Sequence, residues 1–572
     1  MILAQSIPKM SGSSLLPILV VVPLLAGIVL ALAPGMSAAV VRRFSLITSL
    51  FVFLVSVYAA RFGFDWSNPG ATNLPWSTPW IEGFGLSFSF GVDAISMWLL
   101  LLTTFLMPLV IWGSFSAVTE RVRGFYAWLL VLEAAMIGVF AATDLIFFYI
   151  CFEFTLIPLY FLIGIYGSTQ RLKAARVFFL YTFTGSMLAL AGLLYVAWQH
   201  AEQAGFWSFS IVRLTDQAQQ MTLSQQTWVM LAMLAGFAVK VPLFPVHTWL
   251  PLAHTEAPTA GSVILAGVLL KLGTYALLRL TIPMAHLAVI EYAGVIGVFA
   301  VIGILYTALI CWVQRDIKKL IAYSSVSHLG FCVLGMFALN KEGMGGSVMY
   351  MINHGLSTGA LFLCVGMIYE RFHTRQMADM SGLVRPMPVW SFYMVFFCLA
   401  SVGLPGLNGF VGEFLTLIGA FAADDVLGPP YAAAAAAGMV LAAIYILYMI
   451  GRVVFGPTRV PHAHDVPTCD GKQCLDLNLR EILTLLPLAI ACLWLGLRPA
   501  PVLQSLEPSL AEINRAGVIA RGFSVARPNL TDAGPTPPSP SREGPGAVLP
   551  SPEPDPDPAA RNPDPDPRIP SS

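Results

Sequence analysis

The stretch GFAVKVPLFPVHTWLP, residues 236–251, places a lysine in an apolar run and follows it with two prolines. A buried ammonium costs about 2.5–3.5 kcal/mol on the insertion scale, so charged residues inside a membrane usually line a bundle interior or an ion path. Pro242 and Pro245 lack the N–H groups that an unbroken helix would use. Because non-helical backbone inside a membrane needs protein or water to satisfy it, Lys240 and the break together predict an ion site.

The composition places this stretch in a membrane protein. The chain has 572 residues, of which 57% are hydrophobic and only 11% are charged, whereas a soluble globular domain is far more polar. The formal net charge is +0, which gives no indication of a nucleic-acid partner. Six of the 8 cysteines lie in apolar runs, where a cysteine behaves as a small hydrophobe, so no disulfide framework is expected.

Long apolar runs recur along the chain. About 20 such residues cross a bilayer as a helix, and this rule predicts about fourteen spans. They are 15–33, 44–61, 91–114, 124–142, 144–166, 175–197, 228–250, 257–280, 289–310, 319–338, 346–369, 389–421, 431–454 and 481–497. Arg42 and Arg43 follow the first span as a stop-transfer flank, so that span is interpreted as an anchor. The sequence therefore predicts an all-α polytopic membrane protein.

Positive charges alternate between the predicted loops. Lysine and arginine accumulate on the cytoplasmic side of membrane proteins, and most of them here follow odd-numbered spans. The loops after even-numbered spans hold only Arg61, Arg213, Arg279 and Lys341. This alternation predicts both termini on the periplasmic side of a bacterial inner membrane.

Spans 4–8 and 9–13 are predicted to form two equivalent five-helix units. Five is odd, so the second unit enters the membrane inverted, as in secondary transporters. Each unit has one broken span with an ionisable residue: Lys240 before Pro242, and Glu413 after Pro405 in SVGLPGLNGFVGEFLTL. Paired interruptions indicate a transport site. The predicted domains are spans 1–3 (1–123), the first repeat (124–281), the second repeat (282–455), a loop with span 14 (456–500), and a disordered Pro/Asp-rich tail (501–572).

Further ionisable residues lie inside the predicted spans. Glu153 has no counter-charge in its own span, and Lys240 is its candidate partner, since the proton affinity of such a pair depends on the distance between the charges. A static buried salt bridge is the alternative, but it gives no reason for the helix break. Lys271 is expected to be internal, because Arg279, two turns on, is better placed to reach the far surface.

Two histidines complete the candidate relay. His328 and His354 lie among small residues that allow close helix approach, and histidine can relay protons near neutral pH; either can equally be a satisfied packing group. Glu133 is a further intramembrane acid without a second indication of function. The predicted proton-relay residues are Glu153, Lys240, Lys271, His328, His354 and Glu413.

One loop offers possible metal ligands. His462, His464, Cys469 and Cys474 lie close together in PHAHDVPTCDGKQC, and they are chemically adequate for Zn²⁺. Their spacing matches none of the usual finger patterns, so coincidence is favoured and no metal site is predicted. No P-loop, dinucleotide, haem or cluster motif occurs, so the chain itself is expected to perform no redox chemistry.

Five longer motifs resemble those of one family. They are CFEFTLIPLYFLIGIYG, FAVKVPLFPVHTWLPLAHTEAPTAGSVILAGVLLKLG, DIKKLIAYSSVSHLGF, INHGLSTGALFL and GLPGLNGFVGEF. They are similar to the motifs of subunit M of proton-pumping NADH-quinone oxidoreductase, respiratory complex I, whose mitochondrial counterpart is chain 4. The resemblance covers most of residues 90–497. The chain departs at Leu252, where the family often has aspartate.

The resemblance implies an antiporter-like fold with a proton channel driven remotely by quinone reduction. It matches the six candidates to the glutamate of span 5 (Glu153), the lysine of broken span 7 (Lys240), the connecting lysine of span 8 (Lys271), the relay histidines (His328 and His354) and the acid of broken span 12 (Glu413). It also implies that NADH, FMN, iron–sulfur clusters and quinone bind to partner subunits, and that sister antiporter-like subunits lie on either side in the membrane arm.

Related families share this fold. The sister subunits and the large subunits of multisubunit Na⁺/H⁺ antiporters tend to carry lysine where this chain has Glu413, so the glutamate favours subunit M. A lateral helix after span 14 would indicate the distal sister subunit, and none is expected in the Pro/Asp tail. The alternatives are a subunit of a cation/proton antiporter or membrane-bound hydrogenase without NADH input, and an inert spacer of the membrane arm.

Overall fold

A computed structural model describes residues 14–461, 468–469, 472–473 and 475–525. The N-terminal helices are α1 (Leu15–Leu32), α2 (Ala38–Tyr58) and α3 (Ala94–Gly113). The predicted first repeat contains α4 (Val122–Ala141), α5 (Leu145–Phe154), α6 (Leu156–Tyr166), α7 (Arg171–Ala204), α8 (Ile211–Gln219), α9 (Leu223–Lys240), α10 (Trp249–Glu256), α11 (Thr259–Ile264) and α12 (Leu270–Ala276), and the short α13 (Ile282–Met284) begins the predicted second repeat. The predicted second repeat contains α14 (His286–Val313), α15 (Ile317–Phe337), α16 (Lys341–Phe372), α17 (Pro388–Val402), α18 (Asn408–Phe421) and α19 (Pro429–Val453). The final helices are α20 (Leu479–Leu497) and α21 (Ala500–Val525).

Short non-α elements interrupt this series. Three π-helical segments occupy Ala59–Gly63, Leu265–Leu269 and Leu277–Thr281, and a 3₁₀ turn occupies Glu82–Phe84. The strands are β1 (Asn73–Ile81), β2 (Leu86–Val92), β3 (Thr468–Cys469) and β4 (Lys472–Gln473). β1 and β2 form an antiparallel hairpin that pairs Trp76 with Phe90. The sequence analysis did not predict this hairpin, although the alternation in LSFSFGV is a strand pattern.

The membrane architecture is mostly helical, as predicted. Within the described residues, twelve helical stretches are long and apolar enough to cross a membrane. Predicted spans 7 and 12 are each divided into two shorter helices, α9 with α10 and α17 with α18. Both divisions fall at the predicted breaks. The total of fourteen spans remains a prediction, because the two divided segments are not among the twelve.

Polar caps define where many of the helices begin. An Asp, Asn or Thr side chain before a helix accepts a hydrogen bond from one of the first free N–H groups. Such caps are Asp93 for α3, Asp144 for α5, Thr222 for α9, Asp316 for α15, Asn340 for α16 and Asn478 for α20. Thr222 and Asn478 form reciprocal capping boxes with Gln225 and Glu481. These caps fix the ends of spans at the membrane surfaces, where the backbone would otherwise need water.

Three spans lie at the centre of the bundle. The apolar stretch of α16 is 100% buried, and those of α15 and of the span from Thr259 to Met284 are each 94% buried, whereas that of α2 is only 28% buried. Apolar surface left uncovered on α2 is compatible with lipid contact. The three central spans are those that carry His354, His328 and Lys271.

Segments of the chain hydrogen-bond to one another at two surfaces of the helical bundle. We call the first surface the basic face, because it contains the Lys/Arg-rich loops; its contacts include Arg123 to Ala33, Ser168 to Glu256, Arg375 to Thr255 and Ser381 to Arg459. We call the second surface the hairpin face; its contacts include Thr143 to Ser89, Leu145 to Phe209, Ser509 to Pro69 and Asn514 to Leu339. Each span therefore runs between one face and the other.

The structure corrects two predictions, one about the residues that follow span 14 and one about Arg279. Residues from 501 were predicted to be disordered, without a helix after span 14, but Ala500–Val525 is a helix. Its apolar residues Val502, Leu506 and Leu510 are buried, so an apolar stripe, which the Pro/Asp-rich composition further on obscured, anchors it on the hairpin face. Arg279 reaches the hairpin face, but it is held there by an ion pair with Asp93 instead of extending freely.

Candidate functional site

The first helix break is satisfied from within the protein. α9 ends at Lys240, and the carbonyl oxygen of Ala238, which Pro242 cannot reach with an N–H, accepts instead from Leu243 at 2.8 Å. The carbonyl oxygen of Val239 accepts from the indole Nε1 of Trp249 at 2.9 Å. Both carbonyls therefore have hydrogen-bond donors despite the break, and Lys240 is the last residue of α9.

Lys240 is held by Phe152. Its Nζ donates to the backbone carbonyl of Phe152 at 3.0 Å and lies 3.7 Å from the centre of the Phe152 ring, a cation–π contact. Gly273 of span 8 packs against this break; a Cβ there would lie 2.9 Å from the backbone nitrogen of Val241. The small residue thus lets the span Thr259–Met284, called the central span from here on, approach Lys240 closely.

Glu153 and Lys240 are neighbours without being a salt bridge. No nitrogen–oxygen contact within 4 Å joins them, and neither carboxylate oxygen of Glu153 has a hydrogen-bond partner among the described residues. The two charges are nevertheless close enough to interact electrostatically. The predicted pair is therefore present as a separated pair, with Phe152 holding the ammonium.

Lys271 lies between two π-helical segments of the central span. It is fully buried, as predicted. Its Nζ donates to the carbonyl of Ala266, which belongs to the π-helical segment Leu265–Leu269, and contacts Nδ1 of His354 at 2.7 Å. Single π turns inside α-helices occur frequently at functional sites. Here the π turn supplies a carbonyl that faces the lysine of the following turn.

The chain continues from His354 to Glu413. The rings of His354 and His328 are 5.6 Å apart. His328 Nδ1 is hydrogen-bonded to the hydroxyl of Tyr350, which donates to Oε1 of Glu413, and His328 Nδ1 lies 3.5 Å from the same oxygen. Buried polar groups of this kind are costly unless they are paired. The structure therefore brings four of the six predicted residues, Lys271, His354, His328 and Glu413, into one series.

Glycines allow the second break to complete this series. A Cβ at Gly412 would lie 2.6 Å from Cβ of Tyr350, so only glycine lets α18 approach α16 at this level. Asn353 and Asn408 exchange two hydrogen bonds, Nδ2 of each donating to the backbone carbonyl of the other at 2.5 and 3.1 Å. These amides tie the first turn of α18 to α16 and place Glu413 beside Tyr350.

The remaining predicted residues lie apart from this series. Lys240 and Glu153 form the separated pair at the first break, and Leu265, Leu269 and Leu270 of the central span line a small cavity of about 10 Å³ next to Lys240. None of the hydrogen bonds in the described structure joins Lys240 to Lys271. Glu133 is fully buried, and its carboxylate oxygens have no hydrogen-bond partner in the described part of the chain.

Sequence reasoning missed three polar residues of this region. Tyr350 bridges His328 and Glu413, and its position one turn before His354 on α16 could have indicated it. His254 is fully buried and stacks on Phe362 at 4.7 Å. Lys318 lies just before predicted span 10, which begins at residue 319, yet it is 6% exposed and donates to the carbonyl of Ala257.

A cavity opens near these residues on the basic face. It has a volume of about 370 Å³, and its lining includes Glu256, Lys318, Glu370 and Arg375. Lys318, which lines this cavity, interacts electrostatically with the buried His254, which also interacts with Lys271.

The possible metal ligands lie largely outside the described residues. His462, His464 and Cys474 are not described, and of Cys469 only the backbone is described, in strand β3. Among the described residues, no group of three or more His, Cys, Asp or Glu side chains is arranged to hold a metal ion. The six cysteines of the apolar runs are free and buried.

The chain is similar to known proteins over most of its length. Residues 142–450 match the family model described as NADH:quinone oxidoreductase/Mrp antiporter, TM. NADH-quinone oxidoreductase subunit M of Rhodobacter capsulatus is 42% identical over 509 residues, which cover 87% of this chain and 96% of that protein. NADH-ubiquinone oxidoreductase chain 4 of Marchantia polymorpha is 40% identical over 501 residues, which cover 87% of this chain and 97% of that protein.

Solved structures also resemble this chain over most of its length. A chain of respiratory complex I from Thermus thermophilus superimposes with a TM-score of 0.78 at 30% identity, covering 88% of this chain and 99% of that chain. A chain of the Mrp complex from Dietzia sp. DQ12-45-1b has a TM-score of 0.76 at 20% identity, covering 90% and 99%, and it supports the fold alone. The chain belongs to the family of NADH-quinone oxidoreductase subunit M and NADH-ubiquinone oxidoreductase chain 4.

Proposed function

We propose that this chain is a proton-translocating membrane-arm subunit of an NADH:quinone oxidoreductase. The observation that carries the proposal is the series from Lys271 through His354, His328 and Tyr350 to Glu413. It runs through the centre of the bundle and ends at the second helix break. A row of titratable groups in a membrane interior is expected to move protons, because each group is costly to bury without such a use.

Each member of the series has a distinct proposed role. Lys271 stores a proton and exchanges it with Nδ1 of His354, which it contacts directly. His354 passes the proton to His328 after a small ring movement, since the two rings lie side by side without a hydrogen bond in the described structure. Tyr350 and Glu413 form the terminal donor and acceptor. Histidine suits the middle positions because it takes up and releases protons near neutral pH.

The pair at the first break has a proposed coupling role. Glu153 and Lys240 are separated by the contact between Lys240 and Phe152. Moving the ammonium from Phe152 towards Glu153 would change the proton affinity of both groups, because opposite charges favour each other's charged form more strongly at shorter distance. In this proposal, that movement controls when Lys271 receives a proton.

The rest of the enzyme is assigned to other subunits. We place NADH, FMN, the iron–sulfur clusters and quinone in partner subunits, and sister antiporter-like subunits on either side of this chain. We assign the basic face to the cytoplasm, because Lys and Arg accumulate there, and the hairpin face with the termini to the periplasm of a bacterial inner membrane. The titratable series lies in the channel interior between these two faces.

The function is tested by replacing the terminal acid. In the assembled complex, Glu413→Gln is expected to lower NADH-driven quinone reduction and proton uptake about tenfold or more, because a proton acceptor is lost. NADH oxidation by an artificial acceptor that bypasses the membrane arm should persist. Glu512→Gln, at an exposed carboxylate on α21, is the matched control. Loss of both activities in a fully assembled complex would show that the chemistry is misplaced, and Na⁺ transport without NADH would favour the cation/proton antiporter.

The orientation is tested separately. Protease added to intact spheroplasts is expected to cleave the C-terminal region after α21, because that helix lies on the hairpin face. Cleavage only in inside-out vesicles would reverse the assigned orientation.

A further inference from the structure

An ion pair closes the hairpin-face end of the central span. Arg279 Nη2 lies 2.7 Å from Oδ1 of Asp93, and the Asp93 side chain is only 4% exposed while that of Arg279 is 28% exposed. Oδ1 of Asp93 also accepts from the backbone N–H of Ser96, as the cap of α3. Its second oxygen, Oδ2, is buried and has no hydrogen-bond partner among the described residues. The carboxylate therefore has an unused proton-accepting position behind a cation that reaches the surface.

Two hydroxyl groups lie between the ion pair and the helix turn that carries the buried lysine. The Ser96 Oγ and the Tyr275 hydroxyl are hydrogen-bonded at 2.8 Å. Tyr275 lies four residues after Lys271 within α12, the spacing at which side chains on a helix are about 5–6 Å apart. The ammonium of Lys271 itself contacts Ala266 and His354, so a proton that passes from it to the Tyr275 hydroxyl has to cross by way of water.

A cap function alone does not explain this arrangement. Asp144 caps α5 on the same face through Ile146 and Phe147, and it has no ion pair within 4 Å among the described residues. A buried ion pair is seldom more stabilising than well-packed apolar residues of the same size. A guanidinium keeps its proton in proteins, and a fixed arginine charge can exclude protons from a pore. Arg279 is placed where such a barrier would act.

We propose that Arg279 and Asp93 form the outer gate of the proton path that begins at Lys271. This inference rests on the proposed function. With water bridging the two steps that have no direct contact, a proton leaves the ammonium of Lys271, passes by way of the hydroxyls of Tyr275 and Ser96, and adds to the Asp93 carboxylate. The neutral acid no longer holds Arg279, so the pair opens. The acid then releases its proton to water at the hairpin face, and the restored carboxylate re-forms the pair with Arg279.

The two halves of the gate have different expected defects. The experiment uses the complete complex reconstituted in liposomes, with a pH-sensitive dye inside. Arg279→Gln removes the barrier, so passive proton leak without NADH is expected to rise about tenfold, which corresponds to ~1.4 kcal/mol of lost barrier. Asp93→Asn removes the proton acceptor, so NADH-driven pumping is expected to fall, and because the neutral side chain no longer holds Arg279, the leak should lie between that of the wild type and that of Arg279→Gln. Asp144→Asn, at the unpaired cap, should change neither quantity.

Further variants separate the gate from a packing role. Arg279→Lys keeps the charge and should not leak, and the neutral pair Asp93→Asn with Arg279→Gln should leak less than Arg279→Gln does, because the proton acceptor on the path is missing. Adding Lys271→Ala to Arg279→Gln should remove the leak, because the path is interrupted. Wild-type leak and wild-type pumping in the gate variants, at equal amounts of assembled complex, would overturn the gate. If Lys271→Ala alone leaves pumping unchanged, the proposed function fails, which is a distinguishable result.

Discussion

Each of the two helix breaks has one ionisable residue beside it, but the two residues have different contacts. At the first break, Lys240 is held by the carbonyl and ring of Phe152, and the oxygens of Glu153 accept no hydrogen bond within the described structure. At the second break, Glu413 accepts from Tyr350 and lies 3.5 Å from His328. A charge beside a broken helix is therefore not enough to define a proton path. The second break is connected to its neighbours, whereas the first must rearrange before a proton can leave it.

The strongest test of this difference removes the lysine between the two breaks. Lys271→Ala is expected to lower NADH-driven proton uptake about 100-fold, the scale on which a positioned proton-transfer group contributes, because Lys271 is the group in contact with His354. The measurement is dye-reported uptake in membranes with equal amounts of assembled complex. Lys341→Ala, at a lysine that is 64% exposed, is the control. Wild-type uptake in Lys271→Ala would show that the two breaks do not communicate through the central span.

A smaller effect is expected from the connection at the second break. Tyr350→Phe removes the hydroxyl between His328 and Glu413 while keeping the ring, so proton uptake is expected to fall about tenfold. His328 Nδ1 and the Glu413 carboxylate remain close enough to exchange a proton more slowly. Tyr431→Phe, which removes a hydroxyl bonded to Gly294 on the outer helices, controls for the loss of a phenol. Equal activity of both variants would mean that the ordered connection is not used.

The smallest effect is expected at the ring that separates the first pair. Phe152→Leu keeps an apolar side chain and the backbone carbonyl, but it removes a cation–π contact of about 0.5–2 kcal/mol. Lys240 should then lie nearer to Glu153, and pumping should change a fewfold, in the range of about 2–10. Phe148→Leu, at a buried ring stacked on Phe152, is the control. A change in Phe148→Leu as large as in Phe152→Leu would assign the effect to packing.

The sequence was sufficient to place the breaks and the charges. Lys240 before Pro242 and Glu413 after Pro405 could be identified because a proline and an ionisable group inside an apolar run are each unfavourable in lipid. Lys271 was predicted to be internal because Arg279, two turns on, is better placed to reach the surface, and Lys271 is fully buried. These are properties of single residues in their own segments, which is why one sequence is enough to predict them.

Partners across the bundle could not be predicted in this way. Lys271 and His354 are 83 residues apart in sequence, and the pairing of Arg279 with Asp93 joins the central span to a loop before α3. Such contacts depend on helix rotation and crossing angle, and hydrophobic runs that are apolar on all sides contain no facing signal. The roles of Tyr350 and His254 were missed for the same reason. The helix after span 14 was missed because its few apolar positions precede a long polar tail.

The π-helical turn before Lys271 makes the register of the central span a functional property. A π turn holds one more residue than an α turn, so Leu265–Leu269 offsets everything that follows it. Deleting one residue from this segment would restore an ordinary α-helix and rotate Lys271 by about 100° around the axis. The lysine would then face away from His354 although no residue of the series had been replaced. Chain length at this turn is therefore constrained as tightly as the identity of the residues it positions.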